Sequence, residues 1–307
     1  MRVKPQDIFA KAYGKYAIAA FNVFGAEQVC GVFAGASEVD VPVIVQITPA
    51  ARKYLSPGFL QGMIAAAEEL YPAATIAVHL DHGNTEHCLS AIDSGFYDSV
   101  MIDASHESFE RNCALTKEIV DRAHSRGIAV EAELGVLGGV EDVGDAAQRS
   151  GRYTDPDQAE EFVRTTGCDS LAVAVGTSHG AYKFKGGTAL NFSVLRRIQR
   201  ALPGFPLVLH GASNVPGEEI ERINAAGGIL KTDSRGLSAA ELRSAVQCGV
   251  SKINIATDMR LLWTRVCREF FRDTPDQFDP VIPGKKYMEG LRMLVRQKCE
   301  ALVVDRS

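Results

Sequence analysis

Eight short apolar runs, each containing β-branched residues, recur along the chain: Tyr16–Val23, Pro42–Thr48, Thr75–His82, Ser99–Asp103, Ile128–Leu134, Ser170–Val175, Pro206–His210 and Lys252–Ile255. Each is nearly continuously apolar rather than alternating, which suits parallel strands covered on both faces. Helix-like segments fill the gaps at Glu27–Val39, Pro57–Leu70, Thr85–Ser94, Ser108–Arg126, Asp155–Thr166, Ser193–Ala201, Glu218–Ala226 and Ala239–Cys248. Two more, Met259–Phe271 and Tyr287–Leu302, close the chain. Gly127 and Gly167 stand where helix C-caps are expected. Alternating strands and helices predict an α/β fold, a (β/α)₈ TIM barrel with extra C-terminal helices, occupying 1–307 as a single domain. An open doubly wound sheet would favour a Gly-x-Gly-x-x-Gly turn after the first strand. The chain instead reads Phe24-Gly25-Ala26-Glu27-Gln28 there.

In such barrels the chemistry sits at the C-terminal ends of the strands. Three of the seven histidines, His82, His179 and His210, fall there, each where an apolar run breaks into a glycine loop. Packing does not require that placement. An open three-imidazole zinc site does, because strand ends converge on one mouth and neutral imidazole is a favoured zinc ligand. His79 is read as a group supporting that site or a fourth ligand. Asp81, directly before His82, can orient a ligand or act as a general acid. Glu131 and Glu133 share a strand face, and the glycine-rich loop beyond them carries Glu141, a base that a mobile segment can deliver. Gly211-Ala212-Ser213 and Asn254-Ile255-Ala256-Thr257-Asp258 follow runs seven and eight, where barrels commonly hold phosphate through backbone N–H and hydroxyl groups. The reading is carbonyl chemistry on a sugar phosphate, with zinc as Lewis acid.

Composition narrows the partners. The 307 residues are 46% hydrophobic and 23% charged with a net charge of -5, so a broad nucleic-acid or anionic-membrane surface is not expected. The seven scattered cysteines form no Cys-x-x-Cys pair, and the N-terminus lacks a signal-peptide pattern. A cytoplasmic, soluble protein with no membrane partner is expected.

Ala20-Phe21-Asn22-Val23, Leu80-Asp81-His82-Gly83, Val100-Met101-Ile102-Asp103, Glu131-Ala132-Glu133-Leu134-Gly135, Gly176-Thr177-Ser178-His179-Gly180-Ala181-Tyr182, His210-Gly211-Ala212-Ser213 and Lys252-Ile253-Asn254 occur in order. In these motifs, from about Tyr16 to the C-terminal helix, the chain resembles the class II, zinc-dependent ketose-bisphosphate aldolases of fructose and tagatose type. The resemblance implies zinc on His82, His179 and His210, Asp81 as the acid at the aldehyde oxygen, and Glu141 as the base. It implies that Asp103 and Glu133 hold a second metal or support the first. Asn22, Gln46, Thr48, Gly180, Gly211, Ala212, Ser213, Asn254, Ile255, Ala256 and Thr257 would line the substrate site. Carbonyls near Gly180 and Gly211 would hold a monovalent cation (Na⁺ or K⁺), and the assembly would be a homodimer or homotetramer.

Three departures from the family pattern bear on the substrate. Gln46 is of the fructose type, whereas Ala256 and Thr48-Pro49 look tagatose-like. Lys285 and Lys286 stand near the place where family members grip the distal phosphate with an arginine, and lysine lacks the bidentate fork. Fructose 1,6-bisphosphate cleavage to dihydroxyacetone phosphate and glyceraldehyde 3-phosphate is the first expectation, with tagatose 1,6-bisphosphate or a ketose 1-phosphate as the alternative. A non-catalytic barrel subunit is a remote one, since His82, Asp81 and Glu141 are all present. A zinc hydrolase would be expected to carry a His-x-His pair on the first strand, and Phe21-Asn22-Val23 holds none.

Overall fold

All eight apolar runs form strands of one closed parallel barrel. In chain order the strands are β1 (Ile18–Asn22), β2 (Val43–Ile47), β3 (Ile76–Gly83), β4 (Ser99–Ile102), β5 (Ala129–Leu134), β6 (Gly138–Gly139), β7 (Ser170–Val173), β8 (Ser178–His179), β9 (Leu207–Leu209) and β10 (Val250–Ile255). The barrel closes in the order β1-β10-β9-β7-β5-β4-β3-β2, and β6 pairs with β8 in a small separate sheet. The computed structural model describes residues 1–136, 138–139, 152–179, 190–213, 216–231 and 236–304, with the backbone alone at 138–139 and 178–179.

The helices are α1 (Pro5–Ala12), α2 (Ala26–Ala36), α3 (Pro49–Tyr54), α4 (Pro57–Leu70), α5 (Thr85–Ser94), α6 (Phe109–His124), α7 (Pro156–Thr166), α8 (Phe192–Ala201), α9 (Gly217–Ala225), α10 (Ala239–Gln247), α11 (Thr257–Asp273) and α12 (Val281–Ala301). Their starts follow local chemistry. Ser56, Asn84, Ser108 and Asp155 accept backbone N–H bonds as N-caps, and Pro57 and Pro156 fill first-turn positions. Two helices lie outside the expected set: α1 and α3 are too short for a periodic signal. The last helix begins at Val281, not Tyr287, because Pro280 caps its start and Pro283 is tolerated in a first turn.

Alternate strand residues face in and out. Outward Val43, Val45 and Ile47 join the main core beneath the helices. Inward Ile18, Ala20, Ile44 and Ala77 pack against Ile8, Phe9 and Ala12 of α1, which plugs the N-terminal end of the barrel. Met101, Ala172 and Val208 form another inner cluster. Polar side chains take over at the C-terminal ends of the strands.

Candidate active site

Asp81 and His82 are adjacent, so in a regular strand they would face opposite sides of the sheet. The structure resolves this with an irregularity. The β3–β4 register shifts between Leu80 and Gly83, and among the described residues His82 is the non-glycine residue with positive φ, at 47°. A bulge of this kind re-aims side chains, and a left-handed conformation costs about 1–2 kcal/mol for an L residue. Its result is that oxygen and nitrogen ligand atoms of Asp81, His82 and His210 all lie within 4.8 Å of one another.

Each imidazole is aimed by a carboxylate. His82 Nδ1 lies 3.1 Å from Asp103 Oδ2, and His210 Nε2 lies 2.8 Å from Glu131 Oε1. A carboxylate facing one ring nitrogen holds the N–H there, which leaves the lone pair on the other. The other nitrogens, His82 Nε2 and His210 Nδ1, face each other at 2.6 Å. Two lone pairs pointing together at that distance repel, and a cation held by both relieves the repulsion. The donor set therefore fits a zinc ion: neutral imidazoles, with carboxylates behind them. Burial holds the pKa of His210 well below the ordinary histidine value, so it stays neutral as a ligand must. Glu133 Oε2 is 3.9 Å from His82 Nδ1, and His82, Asp103 and Glu133 form a second convergent group.

Asp81 is buried and wrapped in amide donors. Asn22 Nδ2 donates to its Oδ2 at 2.7 Å and Asn254 Nδ2 to its Oδ1 at 3.1 Å. Gln46 Nε2 donates to Asn22 Oδ1 at 3.1 Å and reaches Asp81 Oδ2 at 3.4 Å. Burial alone raises the pKa of this carboxyl. The electrostatic pull of His82 and Lys252 and the bond from Asn22 outweigh that, and its pKa lies below the usual value. Among the described residues no donor reaches Gln46 Oε1 or Asn254 Oδ1, although both atoms are buried. Such acceptors await a hydroxyl or water.

The other expected residues divide. Ser213 is buried, and its Oγ accepts from Ala256 N–H at 3.4 Å, joining the two loops expected to cradle phosphate. Gly211 turns with φ of 60°. α11 starts at Thr257 with no side-chain cap on its first amides, the arrangement of a helix N-terminal anion site. Ala212 and Ile255 pack into the outer core, so their backbone is what faces the mouth. Thr48 Oγ1 accepts from Ala51 N–H and caps α3. Lys285 and Lys286 are exposed on α12 rather than in a loop. Glu141 and Gly180 lie outside the described residues, as does the side chain of His179.

Two groups went unread in the sequence. Lys252 looked like the polar start of a strand, yet it is 1% exposed inside the barrel, with Nζ 2.7 Å from Glu131 Oε2. Its spacing of two from Asn254 was the available signal. Arg260, one turn into α11, lines a cavity of about 320 Å³ together with Phe24, Glu27, Tyr54, Trp263 and Tyr287. Apart from Tyr287 on α12, these residues follow β1, β2 and β10, which puts the cavity on the mouth side of the barrel.

Comparison with known proteins agrees with this geometry. The profile of the family described as "Fructose-bisphosphate aldolase class-II" matches residues 3–305. A fructose-bisphosphate aldolase of Giardia intestinalis is 44% identical over 268 residues, which is 87% of this chain and 81% of that protein. One of Thermus caldophilus is 41% identical over 299 residues, covering 97% and 95%. Among solved structures, the YdjI aldolase from Escherichia coli K12 aligns with a TM-score of 0.78 at 31% identity, covering 98% of this chain and 97% of that one.

Proposed function

Because this chain belongs to the class-II fructose-bisphosphate aldolase family, we propose that it cleaves fructose 1,6-bisphosphate reversibly to dihydroxyacetone phosphate and glyceraldehyde 3-phosphate. The observation that carries this reading is the convergence of His82 and His210 beside an ionised, amide-held Asp81. His82, His179 and His210 would hold zinc, and bound zinc supplies a Lewis acid to the substrate's C2 ketone.

The protein's own groups move the protons. In the cleavage direction Asp81 accepts the C4 hydroxyl proton as the C3–C4 bond breaks and the aldehyde leaves. Its ionised form is the one that can take that proton, and the same residue, then protonated, is the acid of the condensation. The electron pair of the broken bond stays on the dihydroxyacetone phosphate half, and Glu141 returns a proton to C3. Gln46 Oε1 and Asn254 Oδ1 accept substrate hydroxyls. The phosphate of that half lies on Gly180, Gly211, Ser213 and the Asn254–Thr257 segment, supported by the uncapped start of α11. A monovalent cation, Na⁺ or K⁺, belongs at the carbonyls near Gly180 and Gly211. The distal phosphate has cations to meet in Lys285 and Lys286, and Arg260 lines the cavity beside the mouth. A homodimer or homotetramer is the proposed assembly, supported by exposed Trp263, Phe271 and Phe278 on and after α11.

Ala256 keeps tagatose 1,6-bisphosphate as a second reading, since a methyl replaces the carboxylate usual in fructose-type members at that position. The test is release of dihydroxyacetone phosphate from each bisphosphate by the zinc-loaded protein, side by side. Faster release from the fructose isomer is expected, and loss of activity on chelation. Faster release from the tagatose isomer reverses the assignment, and release from neither overturns the bisphosphate assignment.

A further inference from the structure

Below the mouth lies a layer of charge that the reaction does not touch. Lys252 on β10 stands in register with Ile18 of β1 and Val208 of β9, both inward-facing apolar residues. Its ammonium is thus surrounded by the barrel interior, and its carboxylate partner Glu131 is 2% exposed. Glu131 uses its two oxygens differently. Oε2 accepts from Lys252 Nζ at 2.7 Å, while Oε1 faces His210 Nε2 at 2.8 Å. His79 Nε2 lies 3.7 Å from Oε2, and its Nδ1 is 2.7 Å from Ser99 Oγ.

A buried ion pair is weak evidence for stability, because desolvating both charges offsets their attraction. An apolar pair of similar volume would hold this layer about as well. The arrangement makes sense through what Glu131 does with its other oxygen. A carboxylate in an apolar barrel can rotate about its terminal torsion, which is broad and poorly restrained. A charge-assisted bond to Oε2 fixes that torsion, and a fixed Oε1 is what keeps the hydrogen on His210 Nε2 and the lone pair on Nδ1, toward the mouth.

We propose that Lys252 is a positioning residue: by anchoring Glu131 it selects the His210 tautomer that binds metal. This rests on the reading of His210 as a zinc ligand. Outer partners of metal-bound histidines commonly change affinity about 10- to 100-fold when removed, and Lys252 sits one bond further out, toward the lower end of that range.

The test compares wild type, Lys252→Met and Lys252→Gln. Zinc affinity is measured by chelator competition, and the His210 tautomer by ¹⁵N NMR of zinc-free, histidine-labelled protein. Lys252→Met is expected to weaken zinc binding about tenfold and to shift His210 away from the Nε2–H tautomer. Folded Lys252→Met with wild-type zinc affinity and an unchanged tautomer would overturn the proposal. If that variant does not fold, Lys252→Gln decides, since it removes the charge and leaves Glu131 in place: zinc binding about tenfold weaker supports the proposal, and wild-type affinity overturns it. His210→Gln separates the two readings. Unchanged zinc affinity there defeats the ligand assignment itself, whereas a large loss there with no loss in Lys252→Met defeats only the role of Lys252.

Discussion

His79 sits one layer below Asp81 on the inner face of β3 and is 2% exposed. Burial first, and then the charge of Lys252, hold its pKa well below the ordinary value of 6.5. Folded His79 is therefore neutral where the unfolded chain is already taking up a proton. Below pH 6.5 the unfolded state binds the extra proton, so stability is lost as pH falls, by up to about 1.4 kcal/mol per pH unit from this residue. His79→Gln, which can still meet Ser99, removes that dependence. Denaturant unfolding of zinc-free protein at neutral pH and about one unit below 6.5 checks it. Wild type is expected to lose about 1 kcal/mol more than the variant over that interval. Equal losses would mean that His79 is not held neutral. At this scale the sequence was partly legible. Asp81, His82 and His210 announced themselves by standing where strands end. The bulge that turns Asp81 and His82 to one side leaves no mark in the residue pattern, and a lysine inside a barrel contradicts the usual expectation for its charge.

Elements were easier to read than their contacts. The eight strands and the main helices follow from continuous apolar runs and cap residues, which are local properties. The packing of α2 on α12 joins residues some 260 positions apart and has no local signature beyond two glycines. A Cβ on Gly31 would lie 2.6 Å from Leu291 Cβ, and one on Gly35 would lie 2.6 Å from Val295 Cβ. The four-residue spacing on both helices lets the backbones approach along one stripe. In an exposed helix, glycine to alanine gains roughly 1 kcal/mol. Here overpacking costs about 1–3 kcal/mol and wins. Gly31→Ala and Gly35→Ala are each expected to lower the Tm, whereas Gly62→Ala on α4, where a new Cβ meets nothing within 4 Å, is expected to raise it. Calorimetry of the three variants decides the matter. A Tm gain at Gly31 would show that α12 can move away freely.

The whole molecule divides the barrel's labour between its two ends. At the C-terminal end the inward positions are amides, carboxylates and imidazoles held in one hydrogen-bonded set. At the N-terminal end they are Ile18, Ala20, Ile44 and Ala77, sealed by Ile8, Phe9 and Ala12. α1 escaped the sequence reading because eight residues beginning Pro-Gln-Asp carry too little periodicity to separate from a loop. Its role is legible only once the barrel exists for it to close. That separation makes a prediction about how damage spreads. Phe9 is buried, and Phe9→Ala should cost about 3–5 kcal/mol in unfolding free energy, as large-to-small changes in packed cores do. A cavity at the floor leaves the mouth's hydrogen bonds intact, so zinc affinity and kcat/KM, measured well below the lowered Tm, should stay within about twofold of wild type. A matching loss of kcat/KM would show the opposite: that the inner layers are mechanically coupled, and that the plug at one end helps to set the geometry of the ligands at the other.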